Sequence, residues 1–249
     1  MNIFTRLLKD TFIYGLATVL PRLMNLVLVP LHTSTLNTVA YSENTSYYVY
    51  AAFANVLLTY GMETAFFRFF NKEKDNSKVF TTVLASLITT SILFCVIAFI
   101  FSDSIALWLK IPVEQLQILA GTLIIDTIAA TAFALYRIQG KAFKFAVIKL
   151  LSLVVTVFFN FYFLWAVPKY AIELPDWLQH PMVFYIFITN LIASACVFIL
   201  VLPTYFKYKI QFDSILLKRM LIYGLPIMVA GVAFVINENL DKLILRDFV

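Results

Sequence analysis

Apolar residues are gathered into seven long runs, and short polar stretches separate these runs. A helix crossing the hydrocarbon core of a bilayer, about 30 Å thick, needs about 20 mostly apolar residues. The runs have this length and lack the period-two alternation of barrel strands, so they predict an all-α bundle of spanning helices. They lie at about Thr11–Leu31, Ser46–Phe67, Val79–Phe101, Leu116–Leu135, Ala146–Ala166, Met182–Val201 and Lys218–Leu240.

Basic residues are concentrated in every second gap between these runs. The gap from His32 to Thr45 has no Lys or Arg, and the next two gaps on that side have only Lys110 and Lys169. Since loops rich in Lys and Arg stay in the cytoplasm, the alternation predicts a cytoplasmic N-terminus. The basic gaps carry Arg68, Lys72, Lys74 and Lys78, then Arg137, Lys141, Lys144 and Lys149, then Lys207, Lys209, Lys218 and Arg219.

Composition agrees with a protein surrounded by membrane lipids. Hydrophobic residues make up 62% of the 249 residues and charged residues 13%, whereas soluble domains have about 45–50% and about 25%. The net charge of +5 is divided among short loops, which is weak evidence for a nucleic-acid footprint. We therefore expect no nucleic-acid partner.

Several ionisable or amide side chains fall inside the predicted spans, where they are costly. Arg22 and Asn25 share a face of the first span, Glu63 lies in the second and Asp126 in the fourth. One interpretation is a polar substrate cavity, with Asp126 or Glu63 coupled to H⁺ or Na⁺. The other is structural, with Arg22 paired to Asp126 and Glu63 paired to Arg68. The sequence leaves both open.

Catalytic patterns are missing from the sequence. The histidines, His32 and His180, fall in different predicted outer loops, and no Cys, His, Asp or Glu cluster has metal-ligand spacing. With 6 glycines in all there is no phosphate-binding loop. We expect no metal, no cofactor and no enzymatic activity.

Four segments carry a resemblance to a known family. They are LKDTFIYGLATVLPRLMNLVLVPLHT, GMETAFFRFFNKE, ALYRIQGKAFKFAVIKLLS and LIYGLPIMVAGVAFVINENLDKLIL. In order and spacing they resemble the oligosaccharide-lipid flippases of the multidrug/oligosaccharidyl-lipid/polysaccharide exporter superfamily, which includes O-antigen flippases. The resemblance extends over essentially the whole chain.

The resemblance implies an architecture of two six-helix lobes around a polar cavity. Residues 1–10 would form a cytoplasmic interfacial segment, residues 11–205 the first lobe, and residues 206–249 a linker with the first helix of an incomplete second lobe. We therefore expect the front portion of a longer protein, since a single lobe cannot alternate against a missing partner.

The resemblance also implies a function. Such proteins move undecaprenyl-pyrophosphate-linked oligosaccharide across the bacterial inner membrane by alternating access, without hydrolysing ATP, during lipopolysaccharide and related polysaccharide biosynthesis. Arg22 matches the family's expected cavity arginine, whose fork of donors suits a pyrophosphate. Glu63, Arg68 and Arg137 match positions at the inner gate, although Arg68 and Arg137 also suit simple anchoring in the cytoplasm. An ion-coupled multidrug exporter and a seven-helix protein that is not a transporter remain the alternatives.

Overall fold

The computed structural model describes the backbone of residues 3–246 and the side chains of residues 11–244, apart from those at 18, 21, 22, 25, 177, 240 and 243. Within these residues every regular element is helical, so the predicted all-α class is confirmed. The helices are α1 (Ile3–Thr35), α2 (Thr38–Thr59), α3 (Met62–Phe70), α4 (Asn76–Ile100), α5 (Ser102–Leu109), α6 (Val113–Ile138), α7 (Ala142–Phe161), α8 (Val167–Lys169), α9 (Met182–Tyr205) and α10 (Ser214–Arg246).

Aspartate side chains fix where two long helices begin. The Asp75 carboxylate accepts hydrogen bonds from the backbone N–H groups two and three residues further on, at 3.0 and 3.1 Å, and α4 follows directly. Asp213 caps α10 in the same way, with both N–H···O distances at 2.9 Å. Each cap satisfies N–H groups that a helix start leaves without partners.

A proline widens the turn after α7. Pro168 has no N–H, and in a regular α-helix its ring would collide with the carbonyl four residues earlier. The chain instead forms a π-helical turn, Tyr162–Ala166, in which the Val167 N–H reaches back to the Tyr162 carbonyl. The helix then continues directly into α8.

Five of the helices in the described residues are long and apolar enough to cross a membrane. Helix α1 adds only the shorter apolar stretch Leu26–Thr35 to this set. The second predicted run is divided between α2 and α3 by a break at Tyr60 and Gly61. The protein is therefore a polytopic helical bundle, and the full count of seven spans stays a prediction. The five spans are Asn76–Ile100, Val113–Ile138, Ala142–Lys169, Met182–Tyr205 and Ser214–Asn239.

The first outer gap is shorter than the sequence indicated, and the prediction of a loop from His32 to Thr45 was wrong. Helix α1 continues to Thr35 and α2 begins at Thr38, so two residues separate them. The Thr33 and Thr35 hydroxyls donate to backbone carbonyls three or four residues earlier. Polar side chains that bond within their own helix allow it to continue through a sequence that looks like a loop.

Contacts divide the chain into two compact units. The described residues of the first are 3–44 and 136–197, and those of the second are 45–135 and 198–246. In the first unit α1 packs along α7, with the rings of Tyr14 and Phe145 edge to face at 5.3 Å. The rings of Phe163 and Tyr185 stack at 5.0 Å and hold α9 against the π-helical turn. The predicted boundaries between interfacial segment, lobe and linker stay predictions.

In the second unit a contact between two glycines sets the approach of α10 to α3. Gly61 has φ +71°, and a Cβ there would lie 2.2 Å from the Gly224 carbonyl oxygen. A Cβ on Gly224 would lie 2.9 Å from the Tyr60 carbonyl oxygen. Gly231, two turns further along α10, faces Val56, which a Cβ would approach to 3.0 Å. Small residues of this kind let helix backbones pack closely within a membrane.

We expect Gly224→Ala to destabilise the protein by about 1–3 kcal/mol, because the new methyl group would overlap backbone atoms that cannot rotate away. Thermal unfolding in detergent, followed by labelling of the two cysteines with a thiol-reactive dye, measures this. The matched control is Gly15→Ala, since a Cβ at Gly15 meets nothing within 4 Å. Equal unfolding temperatures for the two variants would contradict the packing described.

Candidate functional site

The structure places Arg22, Asn25 and Arg137 in the first unit. Arg22 and Asn25 belong to α1, but their side chains lie outside the described part of the chain. Arg137 lies in the last turn of α6, is exposed, and has its guanidinium carbon 5.9 Å from the centre of the Phe145 ring. The substrate and gating roles of these residues stay predictions.

The other three predicted residues belong to the second unit. Glu63 lies half-buried in the first turn of α3, and Arg68 is exposed in its last turn. Asp126 is exposed near the middle of α6. For these residues, a role in a substrate cavity and a structural pairing both stay predictions.

A polar stripe runs along α6 and includes Asp126. Gln115, Thr122 and Asp126 are seven and four residues apart, which places them on one helix face. The Gln115 side chain is 1% exposed, and neither of its amide atoms has a hydrogen-bond partner among the described residues. Burying such a group costs free energy that packing alone does not return. The stripe therefore combines a buried amide without a partner among the described residues with an exposed carboxylate at Asp126.

Tyr47 of α2 lies against this stripe, with Tyr48 beside it. The Tyr47 hydroxyl lies close to the Thr122 side chain and within electrostatic range of Asp126. Tyr47 is buried, and the ring of the neighbouring Tyr48 stands edge-on to it at 5.6 Å. The Tyr50 hydroxyl donates to the Leu109 carbonyl at 3.1 Å and ties α2 to the end of α5. Tyrosine combines an apolar ring with a polar tip, so one surface offers hydrogen bonds and apolar contacts together.

The first unit contains a buried polar pair that crosses from α1 to α7. His32 Nε2 lies 2.9 Å from Asn160 Oδ1, and the Asn160 amide nitrogen donates to the Thr156 carbonyl at 2.8 Å. With the Asn160 amide oriented in this way, its oxygen accepts the bond and His32 carries its proton on Nε2. Both side chains are buried, so each gives the other a hydrogen-bond partner that lipid could not provide.

A clamp fixes the segment between α9 and α10 to the start of α4. Lys78 Nζ lies 2.6 Å from Asp213 Oδ2. The Thr81 hydroxyl donates to the Gln211 carbonyl at 2.7 Å, and the Asp213 N–H donates to the Thr82 hydroxyl at 3.2 Å. The hydrogen bond from Lys78 and those from the first turn of α10 hold the pKa of the Asp213 carboxyl below its ordinary value.

Basic and aromatic side chains join α3 and its following turn to the first part of α10. Arg219 forms an ion pair with Glu73, with 2.9 Å between nitrogen and oxygen, and its guanidinium lies over the Phe69 ring at 5.2 Å. The Arg68 guanidinium lies 4.3 Å from the centre of the Tyr223 ring. Arg68 therefore helps to hold α10 in place. Anchoring of the chain in the cytoplasm, the other role considered for Arg68, stays a prediction.

Sequence reasoning overlooked the His32–Asn160 pair and the tyrosines beside α6. It placed His32 in a loop, where a hydrogen bond to a side chain of another span is not expected. Tyr47 follows Asn44 and Ser46 in a polar stretch that the structure shows to be helical. The signal in the sequence was the polar pair Asn44 and Ser46 next to an apolar run, because polar side chains within a membrane helix usually face a partner or a cavity.

Metal-binding groups of three or more His, Cys, Asp or Glu side chains do not occur in the described residues. Cys95 and Cys196 are both unbonded thiols. The chemistry that the polar groups above offer is hydrogen bonding and charge rather than metal ligation.

Apolar spans with polar side chains gathered among them define a multi-pass membrane protein of helical type. The sequence model of a family described as polysaccharide biosynthesis protein matches residues 7–249, so the chain belongs to this family. The match confirms the resemblance inferred from the four sequence segments. Searches among curated proteins and among solved structures gave no significant match.

We expect acid to weaken the clamp by protonating Asp213. Because the pKa of this carboxyl is lowered by folding, its stabilising effect is complete above its unfolded-state pKa of about 3.9. The effect is lost as the pH falls through the folded-state value. Asp213→Asn should therefore reduce the fall of the unfolding temperature in acid, measured by thermal scans across this range. Asp103→Asn, in the first turn of α5, is the control. An unchanged acid response in Asp213→Asn would refute the assignment.

Asn160→Leu should cost about 1–3 kcal/mol, because it leaves the buried His32 nitrogen without its partner. Replacing both groups, in His32→Phe with Asn160→Leu, should recover most of this loss. A double-mutant cycle of unfolding free energies in detergent measures the coupling. Strictly additive costs would show that the two side chains do not stabilise one another.

Proposed function

We propose that this protein is a flippase that moves an undecaprenyl-pyrophosphate-linked oligosaccharide across the bacterial inner membrane. Membership of the polysaccharide biosynthesis family and five helices suited to crossing a membrane support a transporter of this pathway. Its N-terminus lies in the cytoplasm, following the distribution of basic loops. It acts by alternating access, not as an enzyme, and it serves the assembly of O-antigen or a related surface polysaccharide.

The observation that carries the proposal is the polar stripe of α6 beside the tyrosines of α2. Ligand sites are mostly apolar, with a few polar groups that fix orientation. Gln115 offers a buried amide without a partner among the described residues, and Asp126 lies within electrostatic range of Tyr47. A sugar presents hydroxyl edges and apolar ring faces, so it can use both the amide and the tyrosine rings.

Arginine supplies the proposed counter-charge for the substrate. Arg22, with Asn25 on the same helix face, would bind the pyrophosphate, because a guanidinium forms bidentate hydrogen bonds to phosphate oxygens. Glu63 would contribute at the inner end of the cavity, with Arg68 and Arg137 serving the gate or anchoring the chain. Asp126 would bind the coupling ion, H⁺ or Na⁺.

A second candidate is an ion-coupled exporter of cationic drugs. The exposed carboxylate of Asp126 within a spanning helix favours this alternative, since an acidic group attracts a cation. The two candidates require different residues. The flippase requires Arg22, whereas a cation exporter requires Asp126 and stays active when the positive charge of Arg22 is removed.

Gene replacement in the source bacterium tests the choice. With the natural full-length gene, Arg22→Ala should abolish surface polysaccharide and cause lipid-linked oligosaccharide to accumulate inside, because the pyrophosphate loses its counter-charge. Arg22→Lys should retain part of the export, since the charge remains without the fork of donors. Immunodetection of the polysaccharide and extraction of the lipid-linked precursor measure both effects.

Lys169→Gln is the matched control. Lys169 Nζ lies 4.2 Å from the centre of the Trp165 ring, at the end of the span opposite to Lys141 and Lys144. Membrane fractions establish that every variant inserts. Normal polysaccharide in Arg22→Ala would end the cavity-arginine hypothesis. Normal polysaccharide in the gene deletion, together with new drug sensitivity, would favour the cation exporter.

A further inference from the structure

Large apolar side chains project from the segment that joins α9 to α10. Phe206 is 81%, Ile210 92% and Phe212 56% exposed, and Ile215, in the first turn of α10, is 74% exposed. Apolar side chains exposed so close together usually mark an interaction site. We call residues 206–215 the junction segment. Its apolar side chains need a partner that the described residues do not supply.

The junction segment lies at one end of three spanning helices. Helix α9 ends directly before it and α10 begins within it, and both are long and apolar enough to cross a membrane. The clamp adds α4, because the Ser77 hydroxyl donates to the Lys209 carbonyl at 3.3 Å and the Thr81 hydroxyl donates to the Gln211 carbonyl at 2.7 Å. A segment held at the ends of three spans lies at the membrane surface, where its apolar side chains meet the boundary between headgroups and acyl chains.

Two lysines lie between the apolar residues of the junction segment. Lys207 and Lys209 are exposed, and neither side chain forms an ion pair with another described residue. The one acidic residue of the segment, Asp213, already pairs with Lys78. The positive charge of the two lysines is therefore available to an anion from outside the protein.

A neighbouring basic turn shows what distinguishes the junction segment. Lys72 and Lys74 are also exposed, but Glu73 and Asp75 alternate with them and residues 71–78 contain no large apolar side chain. Apolar side chains beside lysines favour an anionic lipid, because the apolar groups enter the acyl boundary while the lysines attract the headgroup. A zwitterionic lipid gains only the first of these contacts.

We propose that the junction segment binds an anionic diacyl phospholipid of the surrounding bilayer. The lipid phosphate lies beside Lys207 and Lys209, and the upper part of the acyl chains contacts Phe206, Ile210 and Phe212. The clamp already fixes the backbone of the segment, so binding orders little of the chain and costs little conformational entropy. The site goes beyond the proposed function, since it concerns a lipid of the bilayer and not the transported substrate.

Quenching of a dye on the junction segment tests the site. The full chain, with Cys95 and Cys196 replaced by alanine, carries Ile210→Cys labelled with a bimane dye in phosphatidylcholine nanodiscs. Phosphatidylglycerol or phosphatidylcholine with a nitroxide near the top of its acyl chain is added in increasing proportion. We expect half-maximal quenching at a roughly tenfold lower proportion of phosphatidylglycerol, the order of preference that two lysines at a membrane surface give. The same dye at Asn71→Cys, exposed at the end of α3, should show no such preference.

Paired substitutions separate the local site from the general positive charge of this surface. Lys207→Gln with Lys209→Gln should remove most of the preference for phosphatidylglycerol, whereas Lys207→Arg with Lys209→Arg should keep it. The matched control is Lys72→Gln with Lys74→Gln, which removes the same charge from the turn after α3 and should keep the preference. Phe212→Ser should reduce quenching by both lipids, because it removes an acyl contact.

Three results would overturn the inference. Equal quenching by the two nitroxide lipids would show a lipid surface without a preference for charge. An equal preference at Asn71→Cys, or an equal loss in Lys72→Gln with Lys74→Gln, would show diffuse attraction to the whole surface. Absence of quenching would place the segment in water, and a disulfide between two copies of the unlabelled Ile210→Cys chain would then assign its apolar side chains to self-association. The proposed function stands or falls separately, since none of these measurements involves a lipid-linked oligosaccharide.

Discussion

The hydrocarbon core of a membrane offers no hydrogen-bond partner, so each polar group placed there has to find one within the protein. The long helices satisfy the backbone, and the π-helical turn before α8 does so where Pro168 prevents a regular helix. His32 and Asn160 satisfy each other across α1 and α7. Gln115 stands apart from them, because its buried amide has no partner among the described residues. That contrast separates a pair that holds two helices together from an amide that the proposed function assigns to the substrate.

Helices α3, α4 and α10 form one block with the segment that precedes α10. The contact of Gly61 with Gly224 brings the backbones together, the ion pair of Lys78 with Asp213 fixes the start of α10, and Arg219 reaches Glu73 from the same helix. One packing contact and two ion pairs therefore hold these elements together. Any displacement of α10 from α3 and α4 would therefore break a close packing contact and a charge pair.

The sequence predicted the helical class and the family, because the length of the apolar runs and the order of the segments can be recognised without any knowledge of side-chain contacts. It failed at His32, where hydroxyl groups bonded to their own helix continued α1 through a stretch read as a loop. It did not find the clamp, because Thr81 and Gln211 are distant in the chain and neither belongs to a motif. Polar residues were recognised as candidates by their cost in the membrane, whereas their partners depend on how the helices pack.

The proposed function is the transfer of a lipid-linked oligosaccharide across a membrane without ATP hydrolysis by this protein. The most direct measurement uses the natural full-length protein in liposomes loaded with fluorescent undecaprenyl-pyrophosphate-linked oligosaccharide, and follows the appearance of the sugar on the opposite leaflet with an enclosed lectin. Without ATP and under an imposed ion gradient, transfer should be well above that of protein-free liposomes. Transfer no faster than in protein-free liposomes, with active export of cationic dyes under the same gradient, would contradict it.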